Sequence, residues 1–146
     1  MTLGTRHDPY FGFNFLVEIQ GLTLGGFSEV NGLQAEMETY DYQEGGLNHT
    51  VHRLPGPAKF AANLTLTRGI ADSDVLWNWY DAAAKGTIQR LNGSVILLNT
   101  AQAPVKRWNF AGAYPVKWSG PDLQGSGAEV AVERLDLAHR GISLGR

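Results

Sequence analysis

From Phe11 the chain alternates for ten residues without a break. Phe11, Phe13, Phe15, Val17 and Ile19 fall in one phase, and Gly12, Asn14, Leu16, Glu18 and Gln20 in the other. In an extended chain successive side chains point to opposite faces, so this period of two predicts a strand with one buried face. The downstream segments supply its partners. Residues 27–33 (FSEVNGL) resume as a short strand after breaks at Gly21 and Gly25-Gly26. Residues 61–68 set Ala62, Leu64 and Leu66 against Asn63, Thr65 and Thr67. Residues 94–99 (SVILLN) form an apolar strand. Residues 105–118 form a broken one, with Trp108 and Phe110 on one face and Pro115 marking an edge or bend. In 128–138, Val130 and Val132 keep one phase and Leu135 and Leu137 the other, which predicts a bulge near Glu133-Arg134.

One helix stands out. Asp72 or Ser73 can cap it, Val75, Leu76, Trp79, Tyr80 and Ala83 form its apolar stripe, and Gly86 sits at the C′ position. Trp77 lies off that stripe, either as an exposed protein–protein anchor or half-buried against a neighbouring loop. The fold class is therefore mainly β, a small antiparallel barrel or sandwich with one flanking helix, read as a single domain over 1–146. The 18 glycines and 6 prolines fit short elements and turns.

Residues 34–54 are the peculiar stretch. Leu33, Ala35 and Met37 alternate with Gln34, Glu36 and Glu38. Thr39, Tyr40, Asp41 and Tyr42 follow, then Glu44, Gly45 and Gly46. The glycine pair predicts a hairpin tip, and the return arm is expected to end at Pro55-Gly56-Pro57. Such arms carry too little apolar surface to stand alone in water, and a long polar excursion in a small domain implies a binding role. An identical neighbour, adding strand to strand, would complete both the arms and any open sheet edges. Residues 1–10, ending at Asp8-Pro9-Tyr10, read as an extended arm.

Charge and composition narrow the function. With 12 Lys and Arg against 14 Asp and Glu, the net charge is −2, and the arginines are scattered, so specific nucleic-acid binding is not expected. The absence of cysteine excludes disulfides, thiolate catalysis and Cys-type zinc sites. No apolar run approaches a membrane span, and Met1–Tyr10 lacks the apolar core of a signal peptide, so assembly in the cytoplasm is expected. His49 and His52, three apart on a strand, point to opposite faces and make a poor metal pair. Ser28-Glu29 and Ser73-Asp74 have no nearby histidine, and no glycine cluster matches a phosphate-cradling loop. No catalytic, cofactor or metal site is expected. Interior aromatics lining a small-ligand pocket remain an alternative, which leaves 34–54 unexplained.

The ordered set of motifs resembles one family. RHDPYFGFNFLVEIQGL is followed by GGFSEVNGLQAEMETYDYQEGG, LPGPAKFAANLTLTRG, LWNWYDAAAKG, VILLN, PVKRWNF and VAVERLDLAHRGI, covering Arg6 to Ile142. This series resembles the tail tube proteins of contractile phages, and more closely the inner tube proteins of phage-tail-like extracellular contractile injection systems. Arg140 departs from it, standing where such proteins are expected to carry an acidic residue.

The resemblance implies a fold shared with the haemolysin-coregulated tube protein of type VI secretion. It implies hexameric rings that join their sheets into one larger barrel and stack into a tube inside a contractile sheath. Baseplate or tube-initiator proteins and tube terminators would be further partners, and effector cargo would occupy the lumen; a phage tube conducting DNA is the alternative. The product would be part of a phage-like particle. Contacts between subunits are expected from Asp8, Tyr10, Met37, Tyr40, Tyr42, Glu44, Gly45 and Gly46. Asn14, Glu18 and Gln20, with Asn63, Thr65 and Thr67, would line the lumen or face solvent.

Overall fold

A computed structural model describes residues 10–12, 14–22, 24, 26–43, 51–60 and 62–145. Among them lie nine strands and one helix: β1 (Phe15–Ile19), β2 (Glu29–Asn31), β3 (Glu36–Gln43), β4 (Val51–Lys59), β5 (Leu64–Gly69), α1 (Val75–Ala84), β6 (Leu91–Leu98), β7 (Pro104–Ser119), β8 (Val132–Ala138) and β9 (Gly141–Gly145). Seven strands form one antiparallel sheet in the order β1-β6-β7-β8-β5-β2, with β9 also paired to β7. The fold is mainly β with one helix, as the alternating segments imply.

The long β7 is shared. Its first part pairs with β6 on one side and β9 on the other, and its last part pairs with β8. It thereby divides the sheet into a β1-β6-β7-β9 half and a β7-β8-β5-β2 half. The passage between them falls at Ala113 and Tyr114; a register shift follows between Pro115 and Lys117, where proline cannot donate to a ladder. The halves enclose one apolar core. Ile19, Val95 and Phe110 come from the first, Leu64, Leu66, Leu135 and Leu137 from the second, and Leu76 and Trp79 from α1.

The helix starts after Asp74, not Asp72 or Ser73, and no side chain caps it. Gly86 takes φ +100° just past its end, the left-handed position that glycine fills without strain. Trp77 is half-exposed and packs edge-on against Trp118, with ring centroids 5.0 Å apart. The residue is thus partly covered, as one of its two readings expected, but by strand β7 and not by a loop.

Two expectations are corrected. No bulge occurs at Glu133-Arg134, because β8 pairs with β5 in unbroken register from Val132 to Leu137. The apparent slip had two sources. Val130 lies outside the strand, exposed. Glu133, which shares a phase with Leu135 and Leu137, is buried with them as the ion-pair partner of Arg68. The second correction concerns the first strand, which begins at Phe15 and not at Phe11. Asn14 closes its ladder: its carbonyl accepts from Leu98 N at 2.8 Å, and its Nδ2 donates to Asn99 O at 2.6 Å.

Candidate assembly surface

β3 and β4 form their own two-stranded sheet, outside the seven-stranded one. Their extensive contacts are with each other. The return arm does not stop at Pro55-Gly56-Pro57. It runs through them to Lys59, with Thr39 facing Pro55 and an irregularity between Met37 and Thr39. An edge strand tolerates proline because its missing N–H need not meet a partner.

The two faces of this hairpin differ. Tyr40 and Tyr42 share one face, and Leu54 stands opposite Tyr40. They are 54%, 50% and 47% exposed. Asp41 and Arg53 face each other on the reverse side, 3.6 Å apart and solvated. Lys59 lies 3.6 Å from Glu36 and 3.9 Å from Glu38 at the base. Close fit fixes the tyrosine face: a Cβ added at Gly56 would stand 2.8 Å from the Tyr40 ring and 2.9 Å from Glu38 O. Large apolar groups gathered on one side of an unsupported two-stranded ribbon mark a surface that another molecule covers.

Of the residues expected at subunit contacts, the structure brings Met37, Tyr40 and Tyr42 onto this hairpin, all exposed. Tyr10 is exposed near the start of the chain. Asp8, Glu44, Gly45 and Gly46 lie outside the described residues. The two polar sets, each expected to line the lumen or face solvent, lie in different halves of the sheet. Glu18 is on the outer face of β1, while Thr65 and Thr67 are on the outer face of β5, in the other half of the sheet. These faces look away from a common core.

Thr67 is enclosed within its sheet face. It is only 3% exposed, between its cross-strand neighbours Glu29 and Arg134. Thr65 donates to Asp136 Oδ1 at 2.9 Å. Asn63 precedes β5 and is exposed. Asn14 is spent on the β6 turn described above.

The outer face of the first half is a polar wall. Glu18, Ser94, Asn109 and Ser143 make one row across β1, β6, β7 and β9. Ser94 Oγ donates to Asn109 Oδ1 at 2.6 Å. Arg107 reaches Glu18 at 3.4 Å. With Gln20 and Asn92 this row lines a groove of about 670 Å³. Gly93 lets the sheet close up at this point. A side chain there would run into the Phe110 ring and stand 2.6 Å from Glu18 O.

Two features escaped the sequence reading. One is β9, whose Ile142 and Leu144 alternate with Gly141, Ser143 and Gly145 over only five residues. The other is the buried network in the second half. Arg68 Nε donates to Glu133 Oε1 at 2.6 Å, Trp118 Nε1 to Glu133 Oε2 at 3.1 Å, and Arg68 Nη2 to Ser73 O at 3.0 Å. It ties β5, β8 and β7 to the segment that enters the helix. Arg140 lies over Gly112, where an added Cβ would meet its guanidinium. No described helix is long and apolar enough to cross a membrane.

No curated protein matches the chain by sequence. Among solved structures, one chain of the anti-feeding prophage baseplate is 25% identical, with a TM-score of 0.85 over 95% of this chain and 97% of that one. A chain of the sheath–tube complex of the extracellular contractile injection system PVC, in its extended state, is 21% identical, with a TM-score of 0.84 over 94% and 91%. Hcp1 from Flavobacterium johnsoniae shares the fold more distantly, at 18% identity and a TM-score of 0.53 over 89% and 94%. A family model described as T4-like virus tail tube protein gp19 matches residues 12–143. The chain belongs to this tail tube family.

Proposed function

We propose that this chain, a structural tube subunit of the tail tube family, polymerises as stacked hexameric rings around a lumen that holds or conducts cargo. The observation that carries the reading is the β3–β4 hairpin. It stands apart from the sheet that encloses the core, with Tyr40, Tyr42 and Leu54 uncovered on one face. Identical copies are the natural cover, because a symmetric ring offers each subunit's hairpin the same surface on its neighbour. Met37 and Tyr10, with Asp8, Glu44, Gly45 and Gly46, belong to the same proposed contact. On this reading the whole chain works as a single tube domain, assembled in the cytoplasm and carried in a phage-like particle.

The neighbouring structures are a sheath–tube complex, a baseplate, a tube-terminating cap and a sheath/tube terminator. They support a contractile sheath, an initiating baseplate and a terminator as partners of this chain. Effector cargo in the lumen follows from the injection-system reading. The family and these neighbours are structural proteins of tubes, and the proposal assigns no catalysis.

Negative-stain microscopy of concentrated purified protein is expected to show rings or stacked tubes. Deleting residues 40–48 should leave a folded, soluble chain that no longer polymerises. A deletion variant that forms tubes like its parent would remove the hairpin from the assembly.

A further inference from the structure

The β3–β4 hairpin joins the body of the molecule by two legs, residues 32–35 before β3 and 60–63 after β4. Its strands make their extensive contacts with each other, so its setting against the body falls to those legs. Beside them runs a groove of about 420 Å³, lined by Leu33, Ala35, Glu36, Lys59 and Ala62 among others. The base of the hairpin is therefore not packed solid, and contacts of single residues decide its angle.

The first leg is held by shape. Gly32, at φ +96°, lies so close to the second leg that a side chain there would run into Asn63 O. The second leg is held by a histidine. His139 follows β8, and Gly141 opens β9. Phe60 lies edge-on to the His139 ring, with centroids 6.0 Å apart, and a Cβ added at Gly141 would stand 3.2 Å from the Phe60 ring. Nε2 of the half-buried imidazole is 3.2 Å from Ala62 O, and the Gly141 N–H donates to Nδ1 at 3.1 Å.

These two partners admit one state of the ring. A backbone N–H can only donate, so Nδ1 must offer a lone pair. A carbonyl can only accept, so Nε2 must carry the hydrogen. Of the two neutral tautomers and the cation, only the Nε2–H tautomer satisfies both contacts. A proton added at Nδ1 sets one N–H against another, and the Gly141 bond is lost. The contacts with Ala62 and Phe60 stay open to either charge state.

The charged groups on the surrounding elements are engaged elsewhere. On the hairpin, Lys59 lies near Glu36 and Glu38. On β8, Asp136 accepts from Thr65. In the turn, Arg140 lies over Gly112. β9 carries no titratable side chain. The lone pair at Nδ1 is thus the acid-sensitive part of this junction.

We propose that His139 is a proton-operated latch. Neutral, it fixes the second leg of the hairpin to the β8–β9 turn; protonated, it lets the hairpin swing. The latch is a property of the single chain and does not depend on the tube reading. Its consequence does. If the hairpin is the contact between copies, a hairpin free to swing must be ordered on assembly, and acid slows polymerisation.

Imidazole nitrogen spectra of the labelled, unpolymerised parent chain should show His139 as the Nε2–H tautomer at about pH 8. The Nδ1–H tautomer, or a rapid mixture of both, overturns the latch. Protection of the Gly141 amide from exchange should fall on the order of threefold to tenfold in acid, the worth of one hydrogen bond. The chain has no cysteine, so spin labels can be placed on the hairpin through Asp41→Cys and on α1 through Asn78→Cys, both exposed positions. The distance distribution between them should be narrow at about pH 8 and broad at about pH 5, the range in which imidazole changes charge.

In His139→Asn a side-chain oxygen that takes no proton in this range replaces Nδ1, and the N–H two residues on is within its reach. Its distribution is expected to be the same at both pH values, although His7, His49 and His52 are unchanged. A parent chain whose distribution ignores pH, or an Asn variant that broadens in acid as the parent does, overturns the latch. Acid should then slow tube assembly of the parent more than that of His139→Asn. Equal slowing, with the distances behaving as expected, counts against the hairpin's part in assembly and leaves the latch standing.

Discussion

Two cross-strand ion pairs in this molecule have the same local relation and opposite settings. Asp41 faces Arg53 across β3 and β4, and Arg68 faces Glu133 across β5 and β8. The first pair is 3.6 Å apart with most of both side chains in water. The second is 2.6 Å apart with side chains 3% and 6% exposed. In the hairpin the charges are solvated whether or not they meet, so their attraction is weak and screened. In the centre neither charge has water to return to, and each depends on the other. The two regions differ in the same sense throughout. The centre satisfies its polar groups internally, while the hairpin leaves both its charges and its tyrosines to the outside.

The largest effect therefore falls on the buried pair. Glu133→Gln leaves a guanidinium in the interior facing a neutral amide, and Arg68→Met leaves a carboxylate there. Each is expected to cost about 3–5 kcal/mol of folding stability, measured by urea denaturation of the isolated chain. The double variant Arg68→Met/Glu133→Leu removes both charges and fills the space with apolar atoms. It should recover most of that loss, as replaced buried pairs generally do. Additive losses in the double variant would mean that the Trp118 and Ser73 contacts, and not the mutual charge, hold this region together.

This contrast was only half legible in the sequence. The period-two run at 61–68, the continuous apolar run at 94–99 and the helical stripe around Trp79 fall on β5, β6 and α1, because apolar burial leaves a direct mark on residue order. Glu133 broke that mark. A charged residue on an inward position is invisible to a pattern that sorts by polarity, and it turned a regular strand into a supposed bulge. Pro55 and Pro57 misled similarly, since proline ends a central strand but not an edge strand.

The tyrosines at 40 and 42 were readable as an unusual pair. That Leu54 joins them on one face depends on register, which the turn sets and composition does not. The polar wall was half seen: Glu18 came from the alternation, but Ser94, Asn109 and Ser143 lie 76 to 125 residues further on and meet it only through pairing.

A smaller effect of opposite sign is expected beside the buried pair. The Thr67 hydroxyl is buried and has no hydrogen-bond partner among the described residues. Thr67→Val keeps the branched shape that suits a strand and deletes the unpaired group. It should raise the stability of the isolated chain by up to about 1 kcal/mol, read from the urea midpoint. A loss of similar size would show that the hydroxyl finds a partner, such as water, between Glu29 and Arg134.

The smallest effect belongs to the hairpin, and its smallness is the point. Asp41→Asn removes one charge of a pair that directly faces its partner, as Glu133→Gln does in the centre. Arg53 then stays in water with no desolvation to compensate, so the isolated chain should lose no more than about 0.5 kcal/mol. Salt should not change that figure appreciably, because little attraction is there to be screened. A loss of several kcal/mol would mean that the hairpin is braced against the body of the same chain. The aromatic face would then already have its cover, and the argument that a second copy supplies it would fail. The near-zero result leaves Tyr40, Tyr42 and Leu54 as surface that the monomer does not use.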